Sequence, residues 1–416
     1  MQNQYALITS IGTGLRKENG YRKTTYRFPS GKELTTSVFL EALLKTGFRD
    51  FQQIFITGTF TSDWGTLLGA VKGNHEDFHL ALLEEQEKNS RITDSMIETL
   101  QKILTDEFRI PVTIRAHEPK IDSGTIDNIF SSYMETMKFI PSDIPILLDI
   151  THGFRSMPLL LYQTLQYSVT DGKRRMIELV YGEYIDTEKI SFVRDLSRYW
   201  FYSEYTTALH LLRERLDGFL LAKLIENEWE EASRWLRRFS GIVQTNFCLQ
   251  IDDCLRNLSN ILEKKKQSGH SDLWWIETVE DELINMCKRL IKSSKSSSLK
   301  EYSVFLAEKE MYTQATISLQ TSVECKMMEY LKREDKIGDF DFWKNEGKNA
   351  LKQILRIDHD LRNKINTLEY VRNQIAHGGS KNPETGGAPN AENLKNQYAS
   401  GIKAVNKLFE LIDKNS

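Results

Sequence analysis

Short continuous runs of apolar residues in the first half of the chain alternate with stretches of helical periodicity. The runs cover 5–11, 54–57, 111–115, 144–150 and 177–184, and a further short run covers 190–193. Helices are predicted over 37–44, about 76–106 and 158–169, together with one more before residue 144. Continuous apolar strands that alternate with helices are typical of a mostly parallel sheet covered on both faces. The first half is therefore predicted to be an α/β, Rossmann-like domain, with 190–193 pairing beside 177–184.

The second half follows a helical period almost throughout. One predicted buried stripe consists of Leu209, Leu212, Leu216, Leu220 and Leu224. A similar stripe near the C-terminus consists of Ile402, Val405, Leu408, Phe409 and Ile412. The polar segments 264–272 and 292–298 are predicted to be linkers. Three regions follow from these patterns: an α/β domain over 1–193, a helical connecting region over 194–300, and a terminal helical bundle over 301–416.

Composition narrows the class of protein. The chain has 416 residues, of which 40% are hydrophobic and 27% charged, and its formal net charge is −3. This length suits two or three packed domains. No apolar run approaches the roughly 18 residues that cross a membrane, and residues 1–5 lack the features of a secretion signal. The four cysteines form no C-x-x-C pair, so a cytoplasmic protein without a disulfide framework or zinc ribbon is predicted. Because the charge is near neutral, any nucleic acid must bind at a local site.

Three predicted strands end in loops of small and polar residues. The loops are Gly12-Thr13-Gly14, the segment 58–64, and the segment 149–156. Ligands of a parallel sheet bind beyond the carboxyl ends of its strands. Glycines admit a close ligand, hydroxyls suit phosphates, Arg155 could add a charge, and Trp64 could stack on a base. Each loop alone is equally well an ordinary strand-to-helix turn, but three together favour a nucleotide-like ligand. The first loop lacks the third glycine of a dinucleotide site, and no Walker-A lysine motif occurs.

The segment Asp149-Ile150-Thr151-His152-Gly153, followed by Phe154-Arg155-Ser156-Met157-Pro158, resembles the D-x-T-H-G signature of a CRISPR-associated family. Members of this family carry an N-terminal CARF domain, a Rossmann-like sensor of cyclic oligoadenylates, and many carry a C-terminal HEPN ribonuclease domain. The resemblance implies that cyclic tetra- or hexa-adenylate binds as an activator at the three loops. The implied binding residues are Gly12, Thr13, Gly14, Thr57, Gly58, Thr59, Ser62, Asp63, Trp64, Thr151, His152, Gly153, Phe154, Arg155 and Ser156.

One metal motif stands between these loops. His75-Glu76-Asp77-Phe78-His79 fits the H-E-x-x-H pattern of zinc peptidases, which requires a buried helix and a third ligand downstream. Here Gly73 and Asn74 precede the motif and several glutamates follow it, as in an exposed first helical turn. No catalytic metal is therefore expected.

A second candidate site lies near the C-terminus, in Arg372-Asn373-Gln374-Ile375-Ala376-His377. At 100° per residue, the polar residues Arg372, Asn373 and His377 share the helix face opposite the core stripe. That stripe consists of Leu361, Ile365, Leu368, Val371 and Ile375. The spacing alone also fits a solvated helix face with a histidine near the helix end. The segment resembles the R-x4-6-H signature of HEPN ribonucleases, and it follows the CARF-like region in the order expected for the family.

The residue types suit metal-independent cleavage of RNA, whose 2′-hydroxyl is the nucleophile. His377 could exchange protons near neutral pH, Arg372 could stabilise charge on the phosphate, and Asn373 could orient the phosphate or His377. One histidine does not readily serve as both acid and base. A two-fold homodimer would bring two motifs together, as the family resemblance implies, and higher oligomers stay open. The loop 380–390 could gate this site.

The sequence thus predicts a cytoplasmic, homodimeric endoribonuclease of type III CRISPR defence that is activated by cyclic oligoadenylate. Its substrate would be single-stranded RNA rather than DNA, and its product would carry a 2′,3′-cyclic phosphate. Two alternatives stay open: a non-catalytic sensor or adapter, and a sensor that cleaves its own ring activator. The sequence does not specify activator ring size or RNA sequence preference.

Overall fold

The structure is a computed structural model that describes residues 4–14, 21–71, 73–120, 122–153, 156–170, 176–267, 274–376 and 391–415. The chain divides into two compact units, Met1–Ser203 and Glu204–Ser416.

The first unit is built on one eight-stranded sheet. Its strands are β1 (Tyr5–Ser10), β2 (Thr24–Arg27), β3 (Glu33–Thr36), β4 (Phe51–Thr59), β5 (Val112–His117), β6 (Ile146–Asp149), β7 (Ile177–Ile185) and β8 (Ile190–Asp195), in the order β3-β2-β8-β7-β6-β1-β4-β5. The strands β7, β6, β1, β4 and β5 run parallel, and β8 is antiparallel to β7. Strand β1 lies between β4 and β6, where Ile8 is in register with Phe55 and Leu148. The prediction of an α/β, mostly parallel fold is confirmed.

Helices cover both faces of this sheet. They are α1 (Phe39–Thr46), α2 (Glu76–Asn89), α3 (Asp94–Phe108), α4 (Ser123–Lys138) and α5 (Ser156–Thr170). Alternate residues of β1 enter two separate cores: Leu7 packs in one with α1 and α3, whereas Ala6 and Ile8 pack in the other with α4 and α5. These three residues are at most 1% exposed, which explains why three successive positions of the strand are apolar.

Two sequence predictions for this unit need correction. The single helix expected over 76–106 is two helices, because Ser90 adopts a left-handed φ of 55° and Thr93 caps α3 by accepting a hydrogen bond from the Met96 N–H. The antiparallel hairpin of β2 and β3 was not predicted. Its strands lie at the edge of the sheet and contain threonine and charged residues, so they form no continuous apolar run.

The second unit is helical, as predicted. Its helices are α6 (Arg198–Arg215), which begins in the first unit, α7 (Phe219–Ile225), α8 (Glu230–Thr245), α9 (Ile251–Gln267), α10 (Trp274–Leu290), α11 (Lys295–Glu308), α12 (Tyr312–Tyr330), α13 (Phe340–Phe342), α14 (Lys348–Ile354), α15 (His359–Ala376) and α16 (Ala391–Asn415). A π-helical turn, Trp343–Gly347, joins α13 to α14. Among the residues that the structure describes, no helix is both long and apolar enough to cross a membrane.

The stripe predicted as one helix over 209–224 is interrupted. Helix α6 ends at Arg215 because Leu216 has a φ of 56°. Gly218 then packs so closely that an added Cβ would lie 2.6 Å from Leu236 Cδ1. This break shifts the helical register, so α7 buries Leu221 and Ile225 and leaves the predicted positions 220 and 224 half-buried.

The serine-rich segment predicted as a linker is the start of α11. The Ser294 side chain accepts a hydrogen bond from the Ser297 N–H. Ser296 donates from its N–H and its hydroxyl to Glu329, at 2.9 and 2.6 Å. The linker predicted from the serine content of this segment is therefore wrong, because these hydroxyls cap a packed helix. Of the other predicted linker, 264–267 is helical and 268–272 lies outside the described residues.

Candidate functional site

A cavity of about 530 Å³ opens in the first unit beside the carboxyl ends of β1 and β6. It joins the loop after β1, the loop after β6, the β2 hairpin and strands β7 and β8. Its lining residues are Gly12, Thr13, Gly14, Tyr21, Arg22, Thr24, Tyr26, Thr151, His152, Gly153, Tyr181, Gly182, Tyr184 and Ser191. The structure thus brings together two of the three predicted loops.

Asp149 fixes the loop that follows β6. Its carboxylate is fully buried and accepts hydrogen bonds from the Thr9 hydroxyl at 2.6 Å and the Thr151 N–H at 2.8 Å. Burial raises the pKa of Asp149 to about 6, although both hydrogen bonds lower it. The Thr151 hydroxyl oxygen in turn accepts the Gly182 N–H at 2.9 Å and ties the loop to β7. One carboxylate therefore anchors the cavity wall to two strands.

His152 is a supporting side chain of this wall. Burial lowers its pKa to about 4, so the ring is neutral at physiological pH. The Phe39 N–H donates to His152 Nε2 at 3.4 Å, which makes Nε2 an acceptor and places the proton on Nδ1. The ring packs 4.4 Å from the ring of Tyr21. Its backbone carbonyl accepts a hydrogen bond from the Ser10 hydroxyl.

Glycine is required where the two loops meet. Gly153 has a φ of 107°, and a Cβ added there would lie 2.6 Å from Ser10 Oγ. A Cβ added to Gly12 would lie 3.2 Å from Gly153 Cα. The Gly12 N–H donates to the Tyr21 hydroxyl oxygen. The backbone of both loops thus lies at the cavity surface, and the φ of Gly153 together with the 2.6 Å approach of an added Cβ to Ser10 requires glycine there.

Four tyrosines and one arginine of the wall were missed by the sequence analysis: Tyr21, Tyr26, Tyr181, Tyr184 and Arg22. Burial raises the pKa of Tyr21 and Tyr26 above that of a free phenol, so both hydroxyls remain protonated. The Arg22 guanidinium lies 4.8 Å from the ring centre of Tyr184. One feature of the sequence could have identified these tyrosines: tyrosine recurs in the polar segment 21–26 and again close to Gly182 in β7. These side chains supply aromatic faces and hydroxyl donors to the cavity.

The predicted loop 58–64 does not line this cavity. Trp64 is 0% exposed, and its indole N–H donates to the Thr59 carbonyl at 2.8 Å, so its predicted stacking on a base is wrong. The Ser62 hydroxyl donates to the Ile11 carbonyl at 2.9 Å. The Asp63 N–H donates to the Gly12 carbonyl at 2.8 Å. This loop therefore supports the first glycine loop from behind.

Thr57, which ends the predicted strand, and Gly58 of the loop are also part of the fold. The Thr57 hydroxyl lies 2.7 Å from the Tyr133 hydroxyl, and a Cβ added to Gly58 would lie 2.8 Å from Ile11 Cγ2. Ser156 is exposed at the start of α5 and does not line the cavity. The predicted binding residues Phe154 and Arg155 lie outside the described residues.

Arg372 and Asn373 of the C-terminal motif lie near the end of α15 in the second unit. Leu361, Ile365, Leu368 and Val371 are buried, as predicted, and Ile375 is half-buried.

The guanidinium of Arg372 donates from Nη2 to Glu324 Oε1 at 2.9 Å and from Nη1 to Asn373 Oδ1 at 3.1 Å. Burial raises the pKa of Glu324, while the charge of Arg372 lowers it. Glu324, on α12, was not predicted. His377 lies outside the described residues.

The H-E-x-x-H segment has the geometry of a helix start. His75 precedes α2, and its Nε2 lies 3.3 Å from Glu107 Oε1, whereas His79 packs against Gly65. Within the described part of the chain, no group of three histidine, cysteine or acidic side chains could hold a metal ion. The four cysteines are buried and free.

Comparison with known proteins connects this geometry to a family. Residues 6–211 match the family described as "CRISPR system endoribonuclease Csx1, CARF domain". The chain contains a CARF domain. The matched region includes the sheet apart from Tyr5 and every residue of the cavity wall. The predicted resemblance to CARF-containing ancillary proteins of type III CRISPR systems is thereby confirmed.

Individual relatives are more distant. CRISPR-associated protein MJ1674 of Methanocaldococcus jannaschii is 22% identical over 288 residues, which are 63% of this chain and 45% of that protein. The chain thus spans about half the length of this relative. The solved structure of Enterococcus italicus Csm6 bound to cyclic hexa-2′-fluoro-hexa-dAMP aligns with 99% of this chain and 95% of its own, at 10% identity and a TM-score of 0.40.

Proposed function

We propose that the CARF cavity binds cyclic oligoadenylate. The observation that carries this proposal is the convergence of two glycine loops and four tyrosines on one cavity at the carboxyl end of the sheet. Adenine rings can stack on Tyr181, which is 37% exposed. Protonated hydroxyls and the close backbone approach at Gly153 suit the ring phosphates. Arg22 adds a positive charge at the wall, and the activator is a cyclic tetra- or hexa-adenylate.

We further propose that the protein works as a homodimer through the CARF domain. Helix α5 starts beside the D-x-T-H-G loop and has no charged residue in its sequence. It nevertheless exposes Leu159 at 63% and Tyr167 at 60%. An exposed apolar face of this kind supports a subunit contact. A two-fold axis beside α5 places two cavities next to each other, so that one ring contacts both subunits.

The proposed output is cleavage of single-stranded RNA by Arg372, Asn373 and His377. Of the five N–H donors of the Arg372 guanidinium, one is directed to Glu324 and one to Asn373, so the remaining donors can bind a phosphate. His377 transfers a proton at the 2′-hydroxyl or the leaving 5′-oxygen. Because the nucleophile belongs to the RNA, the reaction requires no metal and leaves a 2′,3′-cyclic phosphate. Two motifs across the dimer supply both the acid and the base.

Activator binding would control this step by a shift of population. A ligand stabilises the arrangement of the dimer for which its affinity is higher. The two functions are then coupled reciprocally, so RNA bound at the HEPN site increases the affinity for the activator by the same factor. The proposed setting is the cytoplasm of a cell with type III CRISPR defence.

The decisive experiment is an RNase assay with the purified full-length protein. A single-stranded RNA with a fluorophore and a quencher is incubated with EDTA and either cyclic tetra-adenylate, cyclic hexa-adenylate or no activator. We expect cleavage with one activator and 2′,3′-cyclic phosphate ends by mass spectrometry. His377→Ala should abolish cleavage and retain activator binding by calorimetry.

Two outcomes would replace the proposal. Activator binding without RNA cleavage indicates a non-catalytic sensor or adapter. Linear products from the activator alone indicate that the CARF domain cleaves its own ligand.

A further inference from the structure

A second cavity, of about 350 Å³, lies in the second unit beside the arginine of the C-terminal motif. Its volume is within the range of small-ligand sites. One face of α12 forms its floor, and the loop before α9 and the segment that leads into the π-helical turn form its sides. Its polar wall includes Thr321, Glu324 and Asp339, and its aromatic wall includes Phe247, Phe340 and Trp343. None of these residues belongs to the sites predicted from the sequence.

The carboxylate of Glu324 connects this cavity to the proposed RNase site. Glu324 lines the cavity, and its Oε1 accepts a hydrogen bond from Arg372 Nη2 at 2.9 Å. Whatever occupies the cavity therefore lies one side chain away from the guanidinium that would hold the scissile phosphate. A group bound in the cavity and the scissile phosphate are therefore close enough to belong to the same substrate molecule.

The aromatic wall is unusually exposed. Phe247 is 61% exposed and Phe340 67% exposed, although both line a concave surface. Trp343 closes the cavity and is only 3% exposed. Large aromatic rings that face solvent beside a cleft are the platforms on which proteins stack unpaired bases.

The polar residues of the wall favour a nucleobase over a phosphate. Glu324 and Asp339 are carboxylates, which repel a phosphate but accept hydrogen bonds from an exocyclic amino group. Adenine, cytosine and guanine carry such a group, whereas uracil has a carbonyl oxygen at the corresponding position. The Glu324 carboxylate remains available as an acceptor because each oxygen can accept more than one hydrogen bond.

We propose that this cavity is a nucleobase subsite for the RNA substrate, which holds the base next to the scissile phosphate and prefers amino-bearing bases over uracil. The proposal rests on the RNase function proposed above and specifies its base preference. Phe247 and Phe340 stack on the base, and Glu324 accepts from its amino group while it positions Arg372.

Binding of uncleavable 2′-deoxy oligonucleotides tests the subsite. End-labelled oligo(dA), oligo(dC), oligo(dU) and an abasic oligomer of equal length are titrated with the full-length protein and followed by fluorescence anisotropy. We expect oligo(dA) and oligo(dC) to bind more tightly than oligo(dU) and the abasic oligomer. Phe340→Ala should weaken the tighter pair by roughly 5- to 150-fold, as loss of one stacking platform does. The abasic oligomer should be unaffected.

Two further variants sharpen the test. Phe219→Ala removes another exposed phenylalanine of the second unit, one that does not line the cavity, and should leave all four affinities unchanged. Glu324→Gln retains the shape but removes the charge, and should reduce the discrimination against oligo(dU). Equal binding of all four oligomers, or equal losses in the Phe340 and Phe219 variants, would overturn the subsite.

This binding measurement is independent of catalysis. Equal binding together with activator-dependent cleavage rejects the subsite and leaves the RNase function. Base-dependent binding without any cleavage supports the subsite and rejects the RNase function. Displacement of the oligonucleotide by an apolar peptide but not by nucleotides would assign the cavity to a protein partner and overturn the proposal.

Discussion

The buried carboxylate of Asp149 gives a quantitative prediction about the stability of the CARF cavity. Burial raises its pKa to about 6, so ionisation costs the folded protein more than the unfolded chain. Relative to the pKa of an ordinary aspartate, this shift lowers the free energy of unfolding by about 3 kcal/mol once the pH exceeds the pKa of Asp149 in both the unfolded and the folded protein. The loss is absent below the pKa of the unfolded chain and is complete above the pKa of the folded protein.

Asp149→Asn removes the charge and conserves the hydrogen bonds. The amide oxygen accepts the Thr151 N–H, and the amide nitrogen donates to the Thr9 hydroxyl oxygen, so the loop after β6 remains anchored. We expect the variant to be more stable than the wild type by up to ~3 kcal/mol at about pH 7.5. The advantage should shrink by about 2 kcal/mol at about pH 4.5, where the folded wild type binds its proton.

Equilibrium urea unfolding of the full-length protein, followed by circular dichroism, measures this difference at the two pH values. Asp186→Asn is the matched control, because Asp186 is exposed and its pKa is lowered by Lys189. Removal of the Asp186 charge should change the free energy of unfolding little, and should lower it instead of raising it. If the wild type and the Asp149 variant respond in parallel to pH, the burial argument is refuted.

Three further predictions follow from the described contacts. Gly153→Ala should destabilise the first unit by ~1–3 kcal/mol in thermal unfolding, whereas Gly69→Ala, whose added Cβ meets nothing within 4 Å, should have little effect; equal effects would contradict the close approach. Leu159→Glu should convert the proposed homodimer to a monomer in light scattering, and an unchanged mass would exclude α5 from the interface. Glu324→Gln should lower kcat by roughly 10-fold, and unchanged kcat would show that Glu324 does not position Arg372.

The strands were predictable because each central strand is buried on both faces. Leu7 and Ile8 enter different cores, so both must be apolar, and a continuous run results. The edge hairpin of β2 and β3 lacked this constraint and was missed. Trp64 was assigned to a ligand by residue type, yet the fold buries it completely. A loop that follows a strand can line a cavity or support its neighbour, and residue type does not distinguish the two.

By itself, the sequence determined the alternation of strands and helices, the helical second half and the motif that marks the CARF domain, because these depend on residues near one another in the chain. Only the tertiary structure decided which residues meet. Tyr184 reaches the same cavity as Gly12, and Glu324 pairs with Arg372 although 48 positions separate them. Such pairings depend on the packing of whole helices and strands, so local periodicity does not predict them.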